Sequence, residues 1–243
     1  MANIVQQARI DLAAALRLAA RFDFSEGVCN HFSYQLPGDE ERFLINPHGI
    51  HWSLMRASDM LLVDGEGNVL EGAHPLETTA FCIHSEVHRK HPRARCVLHT
   101  HMIWATALTS LEDGRLEPVT QNALRFFGDI AYDDDYNGVA DSLDEGRRIA
   151  EGLGDKRIMF MANHGVMAVA GTIAEAFDDL YYLERACQVQ VLAMQTGRPM
   201  KYVGDNMAQD VHDNIRTFAA DYAAKHFDAL KQVLEREDPG FHD

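Results

Sequence analysis

Four cysteines, Cys29, Cys82, Cys96 and Cys187, are scattered over 243 residues, and no two of them stand as a Cys-x-x-Cys pair. That spacing excludes a zinc knuckle and a dithiol redox motif, and buried, reduced thiols are expected instead. Long apolar runs are also missing, since nothing approaches the roughly 18 residues a membrane-spanning helix needs. Met1 to Arg21 has none of a signal peptide's apolar block, which leads to the expectation of a cytoplasmic protein. Positive charge is scarce: 22 Lys and Arg stand against 37 Asp and Glu, a formal net charge of −15. Such a surface repels phosphodiester backbones and anionic headgroups, so neither nucleic acid nor a membrane is expected as a partner. No internal repeat, low-complexity tract or linker breaks the chain, and one domain over 1–243 is expected, long enough to bury a sizeable core.

Ile4, Ala8, Leu12, Ala15, Leu16 and Ala19 recur at helical steps and predict an amphipathic helix ending near Arg21. Short apolar runs bounded by turn residues then predict strands at Phe32 to Leu36, Phe43 to Ile45 and Met60 to Val63. The pattern is helical from Glu77 to Lys90 and stops before Pro92. Arg95 to Leu98 is a strand running into His99-Thr100-His101, with a short helix over Met102 to Thr109. A helix over Asp141 to Leu153 precedes a nearly all-apolar strand from Arg157 to Ala162, and Val166 to Ala170 resumes the strand pattern. Thr172 and Glu175 form a capping box that opens a helix running toward Gly197. A helical extension over 206–236 follows, and the polar tail after it is expected to be disordered.

His99 and His101 stand two apart at a strand end, so both imidazoles project to one side and can chelate a single ion. A catalytic zinc takes three protein ligands and keeps one position open. His164 is the third candidate: it follows a buried strand directly, in a turn that Gly165 allows to bend. Taken alone, a His-x-His pair is equally readable as surface decoration. His84, His88 and His91 form a helical stripe, which more commonly marks a solvated or partly buried face than a ligand set.

Four segments, Cys29-Asn30-His31-Phe32-Ser33, Asn46-Pro47-His48-Gly49, Val97-Leu98-His99-Thr100-His101 and Asn163-His164-Gly165, together resemble the class II aldolase/adducin family from about Leu12 to Gly197. The resemblance implies an α/β fold, a three-layer α/β/α sandwich around a mostly antiparallel central sheet, commonly assembled as a homotetramer. It also implies that His99, His101 and His164 bind Zn2+ or a related ion such as Mn2+, Co2+ or Fe2+, with Asn30, His31, Ser33, Asn46, His48 and Gly49 at the substrate positions. The family aldolases carry an acid four positions before the residue matching His84, where this chain has Ala80; the nearest carboxylate is Glu77. Glu77 is either the displaced acid/base or a helix cap.

The family's Gly-Asn-x-Ser and Thr-Pro-Ser/Thr-Gly phosphate positions appear here as Asn30-His31-Phe32-Ser33 and Asn46-Pro47-His48-Gly49. Imidazoles at His31 and His48 in place of small hydroxyls suit a carboxylate or an aromatic acid at least as well as phosphate, or they simply satisfy loop backbone. No tyrosine matches the family's proton donor, and Tyr132 and Tyr136 are the nearest in sequence. The expected function is a metal-dependent carbon–carbon lyase, aldolase or decarboxylase, acting on a small hydroxy-carbonyl or hydroxy acid. A non-catalytic module like the adducin head, and an iron-dependent oxygenase on the same scaffold, are the alternatives.

Overall fold

The computed structural model describes residues 2–91 and 93–243; Met1, and Pro92 with its reading as a helix stop, lie outside them. In chain order the elements are α1 (Ala2–Arg21), β1 (His31–Gln35), β2 (Arg42–Ile45), β3 (Leu61–Asp64), β4 (Val69–Glu71), α2 (Thr78–Lys90), β5 (Cys96–Thr100) and α3 (Ile103–Thr109). They continue with α4 (Gln121–Leu124), β6 (Ile130–Asp133), α5 (Leu143–Leu153), β7 (Ile158–Met161), β8 (Gly165–Ala170), α6 (Ile173–Gln195) and α7 (Asp205–Glu237). The eight strands form one sheet in the order β4-β3-β2-β1-β5-β8-β7-β6. Every neighbouring pair is antiparallel except β6 with β7, so the α/β/α sandwich with a mostly antiparallel sheet holds.

Strand alternation divides the side chains between two layers. Phe32, Leu44, Leu98 and Phe160 point to the core shared with α1, α3 and α6. Val97, Met159, Met167 and Val169 point the other way, onto Ile83 and Val87 of α2 and Ile149 and Leu153 of α5. The caps follow the sequence: the Thr172 hydroxyl accepts from Glu175 N–H, and Ser142 does the same for α5. No helix of the described residues is long and apolar enough to cross a membrane.

Two expectations fail here. The tail is ordered, because Pro239–His242 forms a 3-10 turn that buries Phe241 completely in the core with α1, while Arg17 pairs with Asp238. A single aromatic side chain of that size is enough to anchor a short segment. The His84, His88 and His91 stripe is not solvated but buried, since it faces the sheet rather than water. Strands β4 and β6 and helix α4 were not read from the sequence; β4 is a fully exposed three-residue edge and carries no alternating pattern.

Ser33 explains the buried stripe. Period two along β1 puts His31 and Ser33 on the α2 side, and the Ser33 hydroxyl lies 2.6 Å from His84 Nδ1 and 2.7 Å from His88 Nε2. His88 Nδ1–H donates to the Ala94 carbonyl at 2.6 Å, so its Nε2 is a lone pair that takes the Ser33 proton. His84 must then donate to Ser33 through Nδ1. Ser33, expected at the substrate site, is therefore a buried rivet between β1 and α2, with no exposed surface.

Ser33→Ala strands both imidazoles and is expected to cost about 1–3 kcal/mol in urea unfolding at pH 7. Acid acts on the same pair. Burial holds His84 well below its ordinary value and pulls His88 down to about 4, whereas the unfolded chain protonates both near 6.5. Stability present above that value therefore drains away as pH falls through about 4. Urea midpoints taken from pH 7 downward should decline steadily, and a flat profile would contradict this account.

Candidate active site and metal centre

Across β1 and β5 the antiparallel register sets His31 directly opposite His99, and their rings stack with centroids 5.6 Å apart. His99 Nδ1–H donates to the Val166 carbonyl at 3.0 Å, which turns Nε2 outward as a lone pair. His101, just past the strand end, is held through Nδ1 by the Glu26 carboxylate. His164 arrives from the β7–β8 turn. Gly165 matters there for a reason other than bending: a Cβ on it would lie 2.5 Å from the Thr100 carbonyl oxygen and 2.7 Å from the His101 ring. The left-handed bend is made by Asn163, at φ 55°.

One nitrogen from each of His99, His101 and His164 can be chosen so that all three lie within 4.8 Å of one another. Burial first, then the neighbouring imidazoles His164 and His101, keep His99 well below its ordinary pKa. Burial, His101 and His31 bring His164 down to about 4. Both rings are neutral at pH 7, which is the ligating form. His101 Nε2 is buried without a hydrogen-bond partner. A buried orphan nitrogen, two neutral imidazoles beside it and ring orientations fixed from behind by Val166 and Glu26 fit a divalent ion of the zinc type.

The three histidines open onto a cavity of about 320 Å³. Asn30, His31, Asn46, His48 and Glu77 all line it, and Gly49 and Ser33 do not. Gly49 instead sits in an exposed turn at φ 88°. Asn30 is buried at φ 74° with both amide atoms unpartnered, so its donors and acceptor are free for a ligand. Asn46 is already committed: its Oδ1 accepts from Phe32 N–H at 2.7 Å, and its amide nitrogen faces the Asn30 and Pro47 carbonyls. His48 is exposed at the rim.

Glu77 is at once the helix cap and a cavity residue. Its carboxylate accepts from Ala80 N–H at 2.6 Å and from the Thr79 hydroxyl, and stands 3.4 Å from His31 Nε2. Burial opposes its ionisation, but the bonds from His31, Thr79 and the backbone outweigh that and hold it at about 2. Cys29 is exposed at the cavity wall, contrary to the expectation of four buried thiols; the other three are buried. Tyr132 faces a neighbouring cavity, with its oxygen accepting from Leu116 N–H and burial raising its pKa to about 12, and Tyr136 is exposed.

Sequence reasoning missed Glu26 and the apolar wall formed by Val28 and Val139. Glu26 sits 75 positions from His101 in an irregular loop, where no periodicity signals a contact. The seam between Ser33 and His84 was, in principle, readable from alternation in β1 and helical spacing in α2.

The family model for the Class II Aldolase and Adducin N-terminal domain matches residues 10–191. A candidate aldolase class 2 protein of Caulobacter vibrioides is 36% identical over 239 residues, covering 98% of this chain and 92% of its own length. Decarboxylase NovR of Streptomyces niveus is 33% identical over 77% of this chain and 70% of its own. Human beta-adducin is 31% identical over 77% of this chain, a stretch amounting to 26% of its length. Among solved structures, an aldolase II superfamily protein of Pseudomonas syringae superposes with a TM-score of 0.92 at 31% identity, over 99% of this chain and 96% of its own. The L-fuculose 1-phosphate aldolase of Glaciozyma antarctica gives 0.86 at 26% identity, over 98% and 92%. With the fold, the histidine trio and these matches in agreement, the chain belongs to the class II aldolase and adducin family.

Proposed function

We propose that this protein is a metal-dependent lyase that cleaves a carbon–carbon bond in a small hydroxy acid or hydroxy-carbonyl compound lacking phosphate. Zn2+, or Mn2+, Co2+ or Fe2+ in its place, would be held by His99, His101 and His164. The observation that carries the reading is the lining of the cavity: three convergent imidazoles, one ionised carboxylate and, among the described residues, no Lys or Arg. A bound dication would act as a Lewis acid on adjacent carbonyl and hydroxyl oxygens, drawing charge from the breaking bond.

The chain's own groups supply the rest. Asn30 offers an amide with no other partner, which orients a polar substrate atom. A carboxylate held at about 2 is a weak base alone. The proton therefore moves between substrate and the His31–Glu77 pair, the carboxylate balancing charge on the imidazole as it accepts Nε2–H. Val28 and Val139 add apolar surface to the cavity lining. A sugar phosphate would bring its charge beside Glu77 with no side-chain cation to receive it. That mismatch, together with the identity to a decarboxylase, favours loss of carbon dioxide over aldol cleavage. Assembly as a homotetramer belongs to the same reading and draws support from Val189, Leu192 and Met194, which leave an apolar strip exposed on α6.

Protein purified without chelator is expected to carry about one zinc per chain by plasma mass spectrometry, and His99→Ala with His101→Ala should lose it. Iron in that place would move the reading to the oxygenase, and no metal would move it to the adducin-like module. Glu77→Gln keeps a side-chain acceptor at the helix cap but removes the charge. Turnover of a hydroxy acid found by screening should then fall by about 10²–10⁴ with metal content unchanged. Retained turnover would reduce Glu77 to a cap.

A further inference from the structure

At the other end of β5 from the histidines lies a second cavity, of about 690 Å³. Arg95 precedes His99 by four residues, so the two cavities are ~14 Å apart along the strand. Five arginines face the second one, Arg89, Arg93, Arg95, Arg157 and Arg216, against the carboxylates Glu40 and Glu175. On a chain of net charge −15 this is a local reversal of sign.

Two of these cations are neutralised internally. Arg89 pairs with Glu86, and Arg157, 6% exposed, is bracketed by Asp129 and Asp179. Three are not. Arg93 spends one N–H on the Asp155 carbonyl at 2.6 Å, Arg95 lies beside the Tyr34 hydroxyl, and among the described residues neither has a carboxylate at salt-bridge distance. Arg216 has only Asp179, at 3.8 Å, and that carboxylate already serves Arg157 and Arg125. Burial, and then Arg157 alongside, lower the pKa of Arg216. Beneath them Arg157 Nη2 is buried with no hydrogen-bond partner. Glu175, whose carboxylate accepts from the Thr172 hydroxyl in the α6 cap, and Glu40 leave the five arginines in excess.

We propose that this cavity is a second ligand site, distinct from the histidine centre, that binds a phosphoryl group on a small molecule through Arg93, Arg95 and Arg216. Guanidinium forks match phosphate oxygens in pairs, which neutralises charge and fixes orientation together. A phosphoryl ligand is the complement of what the catalytic cavity lacks.

The test is equilibrium dialysis of the metal-loaded full chain against labelled inorganic phosphate. Wild type is compared with Arg93→Ala/Arg95→Ala and with His99→Ala/His101→Ala. Arg93 and Arg95 are exposed, so the double variant is expected to fold, which a thermal melt checks. About one phosphate per chain should bind, with affinity at least tenfold weaker in the arginine variant and unchanged in the histidine variant. Loss in the histidine variant alone would assign the anion to the metal centre and overturn the proposal. So would absence of saturable binding at about 10 mM phosphate. Altered assembly of the arginine variant, without phosphate binding by wild type, would assign the cluster to a contact between copies and overturn it equally.

Discussion

The pairing of β1 with β5 is the constraint on which the histidine cavity depends. Its register sets His31 against His99 and, two residues along β1, sends Ser33 to the same side, toward α2. A slip of β1 by one residue would turn His31 and Ser33 into the α1 layer and bring Phe32 out. Apolar side chains on the alternate positions therefore fix the orientation of the polar ones. Phe32, fully buried against Trp52 with ring centroids 4.7 Å apart, holds the register that aims His31.

From that frame the remaining groups are placed by close approach rather than by flexible reach. Gly165 lets β8 lie against Thr100 and His101, so the turn carrying His164 is pressed onto the strand end that carries the other two imidazoles. Val166, one residue later, supplies the carbonyl that orients His99. The same short stretch of β8 thus sets the position of one candidate ligand and the tautomer of another. Preorganisation of this kind removes the need to reorder side chains when an ion or substrate arrives.

Much of this was legible in the sequence because it is periodic. The His-x-His at a strand end, the all-apolar β7 and the Thr172 cap each follow from local spacing. What escaped was carried by contacts without periodicity. Phe241 sits in a polar tail whose composition reads as disorder, yet one buried ring anchors it. Ser33 carried the family position of a substrate ligand, but alternation combined with the histidine stripe of α2 turns it inward. Glu77 was left between cap and catalyst, and the geometry allows both, since one carboxylate closes the first turn of α2 and meets His31. Glu26 had no signal at all, because its partner lies 75 residues away.

Charge is divided along the molecule in a way that restricts what each end can accept. In the histidine cavity His99 and His164 are held neutral and Glu77 is pinned in its ionised form, and the lining carries no Lys or Arg. A dication seated there would be the only strong positive charge, and three neutral ligands would leave that charge undiminished, concentrated on whatever oxygens share the ion. The arginines are gathered at the opposite end of β5, where their field falls on the solvent-facing groove rather than on the reacting bond. On this acidic chain the length of one strand, ~14 Å between Arg95 and His99, holds the arginine cluster apart from the histidine trio, so the two ends of β5 differ in charge.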